Sequence, residues 1–346
     1  MIDFNALRLL LALSVALAHH RLITGDAVEG LRAVSSLVAV QAFFVVSGWI
    51  VTASYRATQG RPGALAAFYV RRGARLVPLY AVVVLAQALA VVALVGWRPG
   101  DGAELWRYLI SNLGFLNFLQ PDLLGFPGNP RMPAINPSLW TLKIELMFYA
   151  SVPLWAALAR RHAAWALAGL FVASTLYAQA LQPLSPELAK QLPGQLRFFA
   201  IGMACERLFG AGAVLARHRG AVLVAGLAGF VAAQALDQNV PLLALQPLAV
   251  AAFVCAAALW LPNLRRAPDL SYGVYLIHAP VMQFGLHLGG FAPGLAGLAT
   301  ALAVTLLLSL LACHAVERPA IEAGRRLSQR LSAARPLPDT SPAIGT

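Results

Sequence analysis

Residues 6–23 read ALRLLLALSVALAHHRLI, an apolar run broken by Arg8 at one end and by His19 towards the other. A helix that crosses a bilayer needs about 20 predominantly apolar residues, and this run is close to that length. Arg8 and His19 have ten residues between them. On an α-helix that spacing is roughly 16 Å and about three turns, so both side chains fall on one face. The stripe carries a permanent cation near one membrane surface and a titratable imidazole near the other. A central arginine in a spanning helix costs about 2.5–3.5 kcal/mol, and such groups usually serve a function. The plainer alternative is that Arg8 snorkels to the headgroups and His19 marks the opposite interface. Residues 9–18 also have the length of a signal-peptide core, with Ala16-Leu17-Ala18 resembling a cleavage site. Asp3, however, precedes Arg8, the only basic residue of this leader, so the segment is expected to remain as the first helix.

The 346 residues are 59% hydrophobic and 12% charged, with a mean hydropathy of +0.70. Soluble domains carry about 25% charged residues. The expected fold class is therefore all-α, a polytopic integral membrane bundle. A net charge of +12 could suggest nucleic acid, but the basic residues cluster in short connections between apolar segments. That distribution reports topology, so the bilayer is an expected partner and nucleic acid is not. Cys205, Cys255 and Cys313 sit in apolar surroundings with spacing that suits neither a zinc site nor a disulfide, and no metal is expected.

Ten apolar segments can be marked, near 6–23, 34–53, 76–96, 138–158, 163–181, 193–209, 220–236, 240–261, 270–289 and 293–315. Arg56, Arg61, Arg71, Arg72 and Arg75 follow the second, Arg160 and Arg161 the fourth, and Arg207, Arg217 and Arg219 the sixth. Arg265 and Arg266 follow the eighth, and Arg318, Arg325, Arg326, Arg330 and Arg335 the last. All these groups share one side if ten helices span, and the positive-inside rule makes that side cytoplasmic, with both termini there. Residues 97–137 form the longest outer connection; Leu105–Leu119 within it suits an interfacial or re-entrant helix, and a proline-rich loop follows. The organisation expected is a transmembrane domain over 1–322 and a mobile cytoplasmic tail over 323–346.

Several further strings carry chemistry. Arg72 and Arg75 are three apart and on a helix could form a fork for phosphate oxygens, although basic juxtamembrane runs commonly serve only topology. Glu145 and Tyr149 are four apart in Trp140-Thr-Leu-Lys-Ile-Glu145-Leu-Met-Phe-Tyr149 and share a face, and a carboxylate at that depth should not meet lipid. Trp140 suits an aromatic anchor at the interface. His278 lies mid-helix in Ser271-Tyr-Gly-Val-Tyr275-Leu-Ile-His278, where a lone histidine commonly serves packing. His314 and Glu317 could pair with each other at i, i+3.

Taken together these strings resemble the membrane-bound acyltransferase-3 family of bacterial surface-glycan and antibiotic acyltransferases. The matching residues are Arg8-x10-His19, Phe43-Phe-Val-Val-Ser-Gly48, Arg71-Arg72-x-x-Arg75 with Pro78 and Tyr80, Trp140-Thr-Leu-x-x-Glu145-x-x-Phe148-Tyr149, Ser271-Tyr272-x-x-Tyr275-Leu-x-His278 and Glu317-x-Pro319. Thr141 stands where the family often has serine, which keeps the hydroxyl. The resemblance implies a bundle of about ten helices in the bacterial inner membrane. It implies transfer of an acyl group, often acetyl, from cytoplasmic acyl-CoA to a hydroxyl of a surface glycan or other acceptor. On this reading Arg8, Arg72 and Arg75 hold the donor's phosphates, His19 is the general base of a direct transfer or else carries the acyl group as a covalent intermediate, Glu145 orients or charges the imidazole, and Trp140 and Tyr149 are candidates for substrate contact. The alternative from another class is a proton-coupled transporter with His19, Glu145 and His278 as its relay.

Overall fold

The computed structural model describes residues 3–25, 35–61, 63–210, 212–236, 242–291 and 294–333, and among these the chain is all-helical. Helix α1 is Asn5–Thr24, α2 Ser36–Arg56, α3 Ala64–Val95 and α4 Asp101–Leu113. Helix α5 is Trp140–Leu181, α6 Pro186–Ala189, α7 Leu192–Phe209, α8 Ala213–Arg217, α9 Arg219–Ala235 and α10 Gln246–Trp260. Helix α11 is Ser271–His287, α12 Leu295–Ala312 and α13 Arg318–Ala333, the last two joined through a wide π-turn at Cys313–Glu317. Among the described residues five helices can cross a membrane by length and composition: α1, α2, α3, the His162–Leu181 part of α5, and the continuous Leu295–Ser332. Helices α9 and α10 are apolar but shorter; α7 carries Arg197, Glu206 and Arg207, and α11 has 17 residues.

Three boundaries differ from the sequence expectation. Arg71, Arg72 and Arg75 lie within α3, which starts at Ala64; Ala, Leu and Arg are strong helix formers, and charge by itself does not end a helix. The fourth and fifth apolar segments form one element, broken at His162 by a non-helical backbone (φ −133°, ψ 55°). The last helix continues to Ala333, so within the expected tail only 334–346 fall outside the described residues. Its π-turn has a local cause. Pro319 has no N–H to offer the carbonyl one turn back, and the Arg318 N–H reaches Cys313 O, five residues behind.

Glycines allow α2 and α7 to approach closely. At the crossing of α2 and α7, a Cβ on Gly48 would stand 2.4 Å from Phe199 O, and one on Gly202 2.1 Å from Val45 O. The Phe199 ring packs beside Phe44 and Phe148, with centroids 4.8 and 3.8 Å apart. Helix α4 doubles back along α3, because Tyr80 OH donates to Asn112 O (2.6 Å) and the Tyr80 ring stacks on Phe115. Asn112 Nδ2 donates to Tyr108 O and Gln120 O, so the irregular backbone after α4 is satisfied within the protein. The opposite face of α4 exposes Trp106 and Ile110.

Gly202→Val should force α2 and α7 apart and cost about 1–3 kcal/mol, the usual range for overpacking. Gly73→Ala, in open space within α3, should be neutral or stabilising by up to about 1 kcal/mol. Thermal unfolding of both purified variants in detergent checks the contrast.

Candidate active site

Four segments converge on Asp269, just ahead of α11. Its carboxylate pairs with Arg8 of α1 and with Arg75 of α3, the latter at 2.6 Å. Arg75 also reaches Glu317 Oε2 of the π-turn at 3.3 Å. The second Asp269 oxygen accepts from Ser271 N (3.1 Å) and Ser271 Oγ (2.6 Å), which anchors the start of α11. Burial opposes ionisation of Asp269; Arg8, Arg75 and the Ser271 donors outweigh it and hold the carboxyl well below the usual carboxylate range.

A narrow cavity of about 50 Å³ rises from this node. Arg8, Ser271 and Tyr272 line it at one end, Ser47 and Glu145 on the side, and Thr141 and Tyr275 at the far end. Glu145 accepts from Tyr149 OH and, at 3.3 Å, from Ser47 Oγ. Thr141 Oγ1 donates to Ser138 O (3.1 Å) and lies 2.7 Å from Tyr275 OH, so Tyr275 is the donor of that pair. These two hydroxyls close the cavity below the imidazoles.

Beyond them α1 and α11 meet again. His278 is fully buried, and its Nδ1 lies 2.9 Å from Val274 O, an acceptor only. In the neutral ring Nδ1 therefore carries the proton and Nε2 the lone pair. His19 Nδ1 is 2.8 Å from that Nε2, so His19 donates through Nδ1 and its own Nε2 is left with a lone pair. Ser138 Oγ stands 3.4 Å from His278 Nε2 and 3.5 Å from His19 Nδ1. Asn136 holds this serine in place by accepting from Ser138 N (3.3 Å) while donating to Leu276 O (2.8 Å). Gln283 and Asn129 tie the preceding loop to α11 and α1: Gln283 Nε2 donates to Met132 O and Ala134 O, and Asn129 Nδ2 donates to Ile23 O and Gln283 Oε1.

The structure thus brings Arg8, Arg75 and Glu145 to one cavity region and sets His19 above it. Arg72 stands slightly apart, its guanidinium carbon 5.9 Å from the Phe68 ring centre and 5.8 Å from that of Tyr149, with Nε buried and unpaired. Glu145 is not the residue on His19 Nδ1; His278 is. Trp140 packs half-buried against the main core, and neither it nor Tyr149 lines the cavity. Glu317 faces Arg75 rather than His314, which turns outward to Arg318 (3.2 Å), because the π-turn rotates the two residues apart. Sequence reading passed over Asp269, Asn136 and Ser138. A cue for Asp269 was present, since it is an acidic residue beside the Ser271 string in a chain with 14 acids against 26 Lys and Arg.

A chain whose bilayer-length apolar helices enclose ionisable side chains is a multi-pass membrane protein with a polar interior. Sequence comparison then supplies the chemistry: residues 1–314 match the family model described as an acyltransferase domain, and the chain belongs to this acyltransferase-3 family. It is similar to nodulation protein 10 of Rhizobium leguminosarum bv. viciae, 29% identical over 324 residues, covering 83% of this chain and 84% of that protein. It is also similar to the acyltransferase MdmB of Streptomyces mycarofaciens, 28% identical over 307 residues, covering 80% and 76%. No solved structure matches the chain.

Asp269→Asn should leave Arg8 and Arg75 without their shared counter-charge and destabilise the fold by up to about 3–5 kcal/mol, the range for breaking a buried ion pair. Adding Arg75→Gln to Asp269→Asn should cost less than the sum of the two single changes. Thermal unfolding of the four proteins of this cycle measures the coupling.

Proposed function

We propose that this protein is an O-acyltransferase of the bacterial inner membrane, with about ten spanning helices and both termini cytoplasmic. It takes an acyl group, here inferred to be acetyl, from cytoplasmic acyl-CoA and delivers it to a hydroxyl of a surface glycan or similar acceptor. Parallel alignment of α1 and α11 supports the topology: Arg8 meets Asp269 at one end and His19 meets His278 at the other, as two outward-running helices would. The observation that carries the chemistry is the His19–His278 hydrogen bond, which leaves His19 Nε2 able to accept a proton.

In this mechanism the acceptor O–H donates to His19 Nε2. As its oxygen bonds to the thioester carbonyl carbon, the proton passes to His19, and His278 Nε2 holds the Nδ1–H of the resulting imidazolium. The tetrahedral intermediate then breaks its C–S bond, and His19 returns the proton to the departing thiolate. Proton transfer by a positioned histidine is typically worth 10²–10⁴-fold. Tyr275 OH lies between the cavity and the imidazoles and is the candidate donor to the oxygen of the intermediate.

Arg72, with Arg8 and Arg75, is assigned to the donor's phosphates. Arg72 is suited to this because its Nε lacks a hydrogen-bond partner among the described residues. A volume of about 50 Å³ holds only a few waters, so the thioester arm needs Tyr275 and Thr141 to part. Glu145 is placed beside that passage, where it holds Tyr149 and Ser47 in position.

His19→Ala should lower acyl transfer by 10²-fold or more at equal membrane levels. His278→Ala should lower kcat with little change in the KM for acyl-CoA, and His278→Gln, whose amide oxygen can still accept from Nδ1, should recover part of it. Equal activity in His19→Ala and wild type would reject the assignment. Arg72→Gln should raise the KM for acyl-CoA with a smaller effect on kcat; steady-state assays in liposomes decide this.

A further inference from the structure

Helices α9 and α10 pack on each other and stand off from α1, and the space between is an apolar groove of about 340 Å³. Leu10 and Ser14 of α1 form one wall; Leu227 and Phe230 of α9 and Trp260 of α10 form the other. Ser14 Oγ donates to Leu10 O (2.9 Å), so the hydroxyl on that wall is already satisfied. Leu10 and Ser14 sit about a third to a half of a turn around α1 from the Arg8–His19 stripe, which separates this groove from the cavity described above. Its rim opens sideways, with Leu10 48% and Leu227 62% exposed. Such a surface in a bilayer meets hydrocarbon chains.

The groove ends, on the Arg8 side of the molecule, at Trp260 and Leu261. There the Arg219 guanidinium lies over the Trp260 indole, 4.3 Å from the ring centre, and the indole N–H donates to Arg219 O (3.4 Å). Arg217 at the end of α8 and Arg266 in the connection after α10 are exposed. The carboxylates flanking this loop are engaged: Asp3 accepts from Leu264 N, and Asp269 holds Arg8 and Arg75. The mouth is therefore cationic and aromatic, and the interior is largely apolar, with Ser14, Ser35 and Gln234 as its polar side chains.

We propose that this groove is a binding site for an anionic phospholipid of the cytoplasmic leaflet, with the phosphate on Arg219 and one acyl chain lying in the space between α1 and the α9–α10 pair. Charge complementarity at the mouth selects the anionic headgroup; a basic side chain at a membrane surface favours anionic lipid by about fivefold. The chain fills the space beside the helix that carries Arg8 and His19.

The test uses the full chain purified in neutral detergent, titrated with phosphatidylglycerol or with phosphatidylcholine of identical chains and read by native mass spectrometry. Wild type should retain phosphatidylglycerol about fivefold more tightly than phosphatidylcholine. Arg219→Gln should reduce phosphatidylglycerol affinity to the phosphatidylcholine level, and Leu10→Trp, which fills the groove, should abolish the tight phosphatidylglycerol adduct. If Leu10→Trp fails to fold, Leu227→Trp blocks the same space from the other wall. Equal retention of the two lipids by wild type, or undiminished phosphatidylglycerol binding in Arg219→Gln or in the folded tryptophan variant, would overturn the proposal.

Discussion

Polar groups inside an apolar bundle must find partners, and here α1 and α11 find them in each other. Arg8 meets Asp269 where both helices begin, and His19 meets His278 about three turns further on. These two contacts fix the register of α1 on α11 in the same direction along the molecule. The cavity lies between them. Loss of either contact would leave a buried ionisable group without its partner, which is why the pairing constrains the site as well as the fold.

The Asp269 node also recruits α3 and the end of α12 through Arg75 and Glu317. Guanidinium groups suited to phosphate are thus held in place by internal carboxylates, at positions a donor could reach. In the proposed mechanism a donor phosphate competes with Asp269 for Arg8 and Arg75. Arg72 lies over the Phe68 and Tyr149 rings and makes no ion pair among the described residues. At the other end the bond between Tyr275 and Thr141 separates the cavity from the imidazoles. In the proposed mechanism access of the reacting group depends on the parting of these two hydroxyl-bearing side chains.

Much of this was legible in the amino-acid order. Spacing alone put Arg8 and His19 on one face of one helix, and the apolar runs located the principal helices. The identity of His19's partner was not legible, because His278 lies 259 positions away and only the packing of α11 on α1 joins them. Glu145, the residue expected there, bonds within its own helix to Tyr149 and across to Ser47. The helical start of α3 was hidden by its arginines, which read as a loop by charge although their helix propensity is high. Asn136 and Ser138 sit in a proline-rich connection whose pattern carries no periodic signal, and their role follows from contacts to α11 made only in the folded chain.

The account rests on one tautomer. In His19 the proton must sit on Nδ1, facing His278, so that Nε2 keeps its lone pair for the acceptor hydroxyl. Solid-state ¹⁵N NMR of histidine-labelled protein in bilayers, with His19 assigned by its loss in a substituted variant, reads this directly. The expected result is a protonated Nδ1 and an unprotonated Nε2 in His19, with coupling from that Nδ1–H to His278 Nε2. A His19 ring protonated on Nε2 and bare at Nδ1 would contradict it.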